Sequence, residues 1–239
     1  MTGPTRLVDR HPSVPADRLV AELIPPPRFA PVRFDTYRPD PSQPTQGAAV
    51  AALRAFAAGL QSARSGGRRS WFRRGAAPPE SRAGVYLDGG FGVGKTHLLA
   101  SLWHEAPAPK AFGTFVELTN LVGALGFAPT VTALAELRLL AIDEFELDDP
   151  GDTVLVSTLL NHLVERGVRL AATSNTLPDA LGEGRFAAQD FLREIQGLAA
   201  HFDVYRVDGE DYRHRGLPEA PPPYSSEQVR RRADLAGTG

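Results

Sequence analysis

The stretch GVYLDGGFGVGKTHLL, residues 84–99, constrains this 239-residue chain more than any other. An apolar run leads into GxxxxGKT at residues 89–96 and then into an apolar pattern of helical spacing. Strand, glycine-rich turn and helix in that order are the context of a phosphate-binding loop. Gly89, Gly90, Gly92 and Gly94, with Phe91 and Val93 between them, let the backbone curl so that its N–H groups point inward, with the positive end of the next helix behind them. Lys95 is then placed to bridge the β- and γ-phosphates, and the Thr96 hydroxyl to hold magnesium. A random chain of this composition and length produces the pattern roughly a few times in a thousand. The basic residues are nearly all arginine, Lys95 and Lys110 being the two lysines. One of those two sits where a flexible ammonium must reach phosphate oxygens; the competing reading is a glycine-rich turn without a ligand.

A hydrophobic content of 42% suffices for a sizeable core and points to one nucleotide-binding domain with ends to spare. There is no cysteine, which excludes disulfides and thiolate metal sites, and the six histidines show no ligand spacing. The N-terminus lacks the apolar segment of a signal peptide, and no run of eighteen apolar residues occurs, so a soluble cytoplasmic protein without a transmembrane segment is expected. A net charge of -2 gives no global pull toward nucleic acid or membrane. The local exception is SARSGGRRSWFRRG, residues 62–75, where Arg64, Arg68, Arg69, Arg73 and Arg74 surround Trp71 and Phe72. It reads either as a contact for a polyanion or partner or as a solvated connection.

Residues 1–46 form a proline-rich N-terminal arm, since IPPPRFAPVRF cannot be a helix interior. A helix is expected over residues 47–61. Five strand-like runs follow, GVYLD (84–88), AFGTFVE (111–117), RLLAI (138–142), VRLAATS (168–174) and FDVYRV (202–207), with helical segments HLLASLWHE, LTNLVGALG, TVLVSTLLNHLVERG and AQDFLREIQGLAAHF between them. This periodicity predicts an α/β fold of the P-loop NTPase class, a mostly parallel five-stranded sheet between helices, occupying residues 47–215. Residues 216–239 read as a polar, disordered tail.

Two further places carry chemistry. In LRLLAIDEFELDD, residues 137–149, an apolar strand ends in Asp143 and Glu144. Asp143 is placed to hold magnesium through water and Glu144 to polarise a water for in-line attack on the γ-phosphate. The alternative, an acidic helix cap, suits Asp148, Asp149 and Asp152 better. The next strand ends in Ser174 and Asn175, whose amide can sense the γ-phosphate or orient the attacking water without competing for protons; an ordinary turn asparagine is the bland reading. Arg185 and Arg193 in GRFAAQDFLREIQ are candidates for an arginine finger reaching a neighbouring subunit, or simply solvated helix residues.

Taken together, GGFGVGKT, LLAIDEFELDDPGD, LAATSN and DGEDYRHR resemble the ZapE cell-division ATPases, relatives of the mitochondrial Afg-type ATPases, over residues 86–215. The resemblance implies an AAA+ ATPase using ATP and Mg2+, with Asp143 and Glu144 as the Walker B pair and Asn175 as sensor. It also implies the divisome as partner, acting on the FtsZ ring, and a possible homo-oligomer. The family has RERF where this chain has AQDF (188–191), so Arg185 or Arg193 must supply any finger. The chain ends soon after DYRHR, so no C-terminal helical lid domain is expected, and closure would come from the arm, with Tyr37 near the adenine. The alternative is a loader ATPase of the DnaC and IstB type, which shares GVGKTHLL and acts on DNA; basic and aromatic groups would bind single strands. A metabolite kinase is a third option, against which the Asp-Glu pair and Asn175 point to water as acceptor.

Overall fold

The structure, a computed structural model, describes residues 14–62, 82–147, 149–181 and 191–212. The basic loop at Arg64 to Arg74, Asp148, Arg185, Arg213 and the tail from 216 lie outside the described residues.

Five strands, β1 (Gly84–Asp88), β2 (Lys110–Thr114), β3 (Leu139–Asp143), β4 (Arg169–Ser174) and β5 (Phe202–Arg206), pair in the order β2-β3-β4-β1-β5. Every pairing is parallel. The apolar runs follow from this: a parallel strand covered by helices on both faces needs apolar side chains on both, and β1 and β3 are buried at all five positions. Side chains alternate between two cores. Tyr86, Leu140 and Ile142 face the core beneath α4 (Phe115–Leu125), α5 (Phe127–Leu134), α6 (Pro150–Glu165) and α7 (Leu192–Ala199). Val85, Leu87, Leu139 and Ala141 face the core beneath α2 (Pro44–Ser62) and α3 (Lys95–Glu105). Because all strands run the same way, β1, β3 and β4 deliver Asp88, Asp143 and Ser174 to one edge of the sheet. β4 lies between the other two, so residues following it stand between the P-loop and Asp143.

Several element boundaries differ from the sequence expectation, each for a local reason. β2 stops at Thr114 rather than Glu117 because Thr114 caps α4: its hydroxyl accepts from Glu117 N–H at 3.2 Å, and Glu117 Oε2 accepts from Thr114 N–H at 2.7 Å. α5, not anticipated, starts after Gly126 (φ 85) and tolerates Pro129 in its first turn, where no intrahelical donor is needed. α6 begins at Pro150, with the Asp149 carboxylate accepting from Gly151 and Asp152 N–H groups. α2 begins at Pro44, three residues before the expected start, proline being suited to a first helical turn. The proline-rich arm contains a helix, α1 (Ala16–Ala21), and its Leu23 carbonyl accepts from Phe112 N–H at 2.8 Å on edge strand β2. Of the predicted helix over residues 188–202, the described part is Leu192–Ala199.

Among the described residues no single helix is long and apolar enough to cross a membrane; the bent pair Phe115–Leu125 and Phe127–Leu134 passes by length and composition together, but its apolar residues belong to the core.

Candidate nucleotide site

The loop after β1 is shaped by glycine conformations and by what surrounds it. Gly92 and Gly94 take φ of 70° and 91°, the left-handed region that other residues adopt at a cost of roughly 1–2 kcal/mol. A Cβ at Gly94 would lie 2.7 Å from the Tyr37 ring, and one at Gly92 would lie 1.9 Å from Asp211 Oδ1. The arm and the chain after β5 thus both pack closely against the loop. Tyr37 donates its hydroxyl to the Val93 carbonyl at 2.9 Å, and Tyr212 N–H donates to the Gly92 carbonyl at 2.9 Å. His97, in the first turn of α3, has Nε2 3.0 Å from Thr36 Oγ and 3.1 Å from the Arg33 carbonyl, which ties the arm to the helix.

Lys95 opens α3 and is buried. Its Nζ donates to the carbonyls of Gly89 and Gly90, both at 2.6 Å, and to Asn175 Oδ1 at 2.9 Å. Burial lowers its pKa from the ordinary lysine value, while the carboxylates of Asp88, Asp143 and Glu146 act in the opposite direction. Asp88 is itself buried at the end of β1 and accepts from Arg206 at 2.8 Å; Arg206 also donates to Asp208 at 2.7 Å.

Asp143 is buried at the end of β3, where its Oδ1 accepts from Thr96 Oγ at 3.1 Å and from Thr173 Oγ at 2.5 Å. Burial raises its pKa above the ordinary aspartate value; the hydrogen bonds from Thr173, Thr96 and the Glu144 N–H, and the Lys95 charge, hold the rise in check. Glu144 is exposed and sits at φ 53°, a conformation uncommon for a residue with a Cβ. Its backbone N–H is anchored on Thr173 Oγ at 3.1 Å, while its carboxylate makes no hydrogen bond or ion pair with another described residue.

Lys95, Thr96, Asp143, Glu144 and Asn175 line one cleft of about 570 Å³, within the size range of small-ligand sites. Phe91, the exposed tip of the loop, lines it together with Arg28, Phe29, Tyr37 and Arg38 of the arm. Arg193 is exposed on α7 and does not line this cleft. The donor set fits a magnesium ion carried in with phosphates. Hard oxygens of Asp143 and Thr96 stand together, and the described residues contain no cluster of three or more His, Asp or Glu that would form an all-protein cage.

Sequence reasoning missed three contributors. Thr173 looked like one more β-branched residue of a buried strand, and its role depends on the β3–β4 register, with Ile142 opposite Ala172. Glu146 stands in an acidic stretch with no local sign of a role, although its carboxylate receives three hydrogen bonds from residues 174–176. Arg206 lies 118 residues from Asp88, and nothing local signals that pairing.

A family model described as AFG1-like ATPase matches residues 13–236. The cell division protein ZapE of Escherichia coli strain K12 is 34% identical over 162 residues, covering 63% of this chain and 43% of ZapE, so the chain spans less than half the length of that curated relative. Among solved structures, DnaI superposes with a TM-score of 0.58 at 16% identity, over 81% of this chain and 98% of DnaI. AMPPCP-bound DnaA from Aquifex aeolicus gives 0.56 at 10% identity, over 87% of this chain and 65% of DnaA. At those identities the likeness is one of fold, that of P-loop NTPases. By the match over nearly its whole length, the chain belongs to the AFG1-like ATPase family.

Proposed function

We propose that this chain is a magnesium-dependent ATPase of the AAA+ class that works in the cytoplasm on the cell-division machinery, with the FtsZ ring as its target. The observation that carries the ATPase reading is the convergence of two hydrogen-bonded pairs, Lys95 with Asn175 and Thr96 with Asp143, on a cleft that Glu144 also lines, its carboxylate without a partner among the described residues. The division role rests on the likeness to a protein named for cell division.

In this reading the loop N–H groups of residues 89–96 and the Lys95 ammonium bind the β- and γ-phosphate oxygens. Thr96 and Asp143 would hold the magnesium, which when bound would neutralise charge on those oxygens. Glu144 accepts a proton from the attacking water as the water oxygen bonds to the γ-phosphorus. The bond from that phosphorus to the bridging oxygen breaks, the electron pair leaves with ADP, and inorganic phosphate is released. Asn175 Oδ1 faces Lys95, which is a donor only, so the amide NH2 is left to donate to a γ-phosphate oxygen or to the water. The arm closes the adenosine end, with Tyr37 and Phe29 as its aromatic surfaces. Arg193 or Arg185 reaches a neighbouring subunit's nucleotide in a homo-oligomer.

The test has two arms. Lys95→Ala abolishes binding of a fluorescent ATP analogue to the purified chain; wild-type affinity in that variant overturns the nucleotide reading. Glu144→Gln, held in ATP, captures FtsZ from a bacterial lysate; capture of replicative helicase and DNA without FtsZ replaces the division role with that of a loader.

A further inference from the structure

The segment after β3 does more than end a strand. Beyond Asp143 the β3–β4 pairing continues through the loop: Glu144 N–H donates to Thr173 Oγ at 3.1 Å and Phe145 N–H to the Thr173 carbonyl at 2.7 Å. This brings Glu146 to the end of β4. There its Oε1 accepts from Ser174 Oγ at 2.9 Å and from Asn175 N–H at 3.2 Å, and its Oε2 accepts from Thr176 Oγ at 3.4 Å. The same turn is held from beneath by Tyr86, which donates its hydroxyl to the Thr176 carbonyl at 2.7 Å, and by the Thr176 N–H on Ser174 Oγ at 3.0 Å.

One carboxylate therefore takes a hydrogen bond from each of three successive residues, and the middle one is Asn175. Only the side chain of Asn175 remains to engage the cleft, and its Oδ1 meets Lys95 Nζ at 2.9 Å. We propose that Glu146 is a positioning residue for hydrolysis: it clamps the turn at residues 174–176 so that the Asn175 amide is presented to the γ-phosphate end of the cleft. It is not a second proton acceptor, since its oxygens are occupied by the turn, whereas the Glu144 carboxylate has no hydrogen-bond or ion-pair partner among the described residues. The inference rests on the ATPase reading above and on the role assigned there to Asn175.

Geometry and charge make different demands at this position. A glutamine keeps one oxygen for Ser174 and Asn175 and turns its NH2 toward the Thr176 hydroxyl, which accepts as well as donates. An alanine removes the clamp altogether. A misplacement of about 1 Å in a positioned group lowers rate by on the order of a hundredfold. The experiment measures magnesium-ATP hydrolysis and ATP binding for the full chain with Glu146→Ala, Glu146→Gln, Asn175→Ala and the Glu146→Ala/Asn175→Ala pair. The account expects Glu146→Ala to lose kcat by about tenfold to a hundredfold with ATP affinity within about threefold of wild type. It expects Glu146→Gln to recover most of that loss, and the double variant to be no slower than Asn175→Ala. Additive losses in the double variant, a glutamine as impaired as the alanine, or a parallel collapse of ATP affinity each overturn the positioning role. If Asn175→Ala is impaired and Glu146→Ala is not, the clamp alone is wrong. If Asn175→Ala hydrolyses like wild type, the role of Asn175 itself is wrong and the clamp falls with it.

Discussion

Replacing Thr173 with valine removes one hydroxyl and keeps the shape of a side chain that is only 2% exposed. That hydroxyl is used in both directions: it donates to Asp143 Oδ1 at 2.5 Å and accepts from the Glu144 N–H at 3.1 Å. The first bond ends on a carboxylate, and such bonds are worth about 1.5–3 kcal/mol; leaving the buried side of the Glu144 N–H unpaired adds about 1–3 kcal/mol. The extra buried methyl offsets about 0.8 kcal/mol. A net loss of about 3 kcal/mol follows, and with a urea dependence of about 2–3 kcal/mol per molar the unfolding midpoint should fall by roughly 1–1.5 M. Thr173→Ser, which keeps the hydroxyl, should stay close to wild type. Hydrolysis reports the same contact differently. Thr173 is the first hydrogen bond holding down a pKa that burial raises, so its loss lets the Asp143 pKa climb further. Asp143 must be ionised to hold magnesium, and the acidic limb of the rate profile should therefore move to higher pH in the valine variant. A valine variant with the wild-type midpoint and an unmoved acidic limb would refute the reasoning.

Other perturbations separate parts of the same account. Gly90 has open space where a Cβ would stand, whereas Gly92 combines φ 70° with Asp211 Oδ1 at 1.9 Å. Gly90→Ala should bind nucleotide like wild type and Gly92→Ala at least about tenfold more weakly, from strain of roughly 1–2 kcal/mol plus displacement of Asp211; equal titration curves contradict this. Because burial raises the Asp143 pKa in the folded chain, the protonated form favours folding: that stability is present below the unfolded value of about 3.9 and lost as pH rises through the folded pKa. In EDTA at pH 7, Asp143→Asn should therefore unfold at higher urea than wild type, with the difference closing toward pH 3; a less stable variant at pH 7 rejects the claim. Arg206 is exposed while its partner Asp88 is buried, so Arg206→Ala should lower the midpoint and Asp88→Asn should restore it in the double variant. Additive losses would show that the pair is not a unit.

The reading of the sequence succeeded where a residue's part is written in its own neighbourhood. Five strand-like runs located five parallel strands; β1 and β3, buried on both faces, are the apolar ones throughout, whereas edge strand β5 alternates. The glycines of residues 89–94 announced a tight turn, in which Gly89, Gly92 and Gly94 take positive φ, and Asp143 announced a polar end to an apolar strand. What stayed hidden depends on register and on distant segments. Phe115 to Glu117 continued an alternating pattern and looked like strand, until the Thr114 and Glu117 capping box made them helix. Glu146 and Thr173 acquire their partners only when β3 and β4 lie side by side, and the pressing of Tyr37 and Asp211 on the loop joins segments more than 170 residues apart in the chain.

The most direct test of the central claim is phosphate release from ATP by the purified full chain with and without magnesium, set beside Glu144→Gln. The account predicts release that requires magnesium, and a Glu144→Gln protein that binds ATP as tightly as wild type but releases phosphate at least about a hundredfold more slowly. Equal release by the two proteins would contradict the role given to Glu144, and no release by the wild type, alone or with FtsZ, would contradict the ATPase itself.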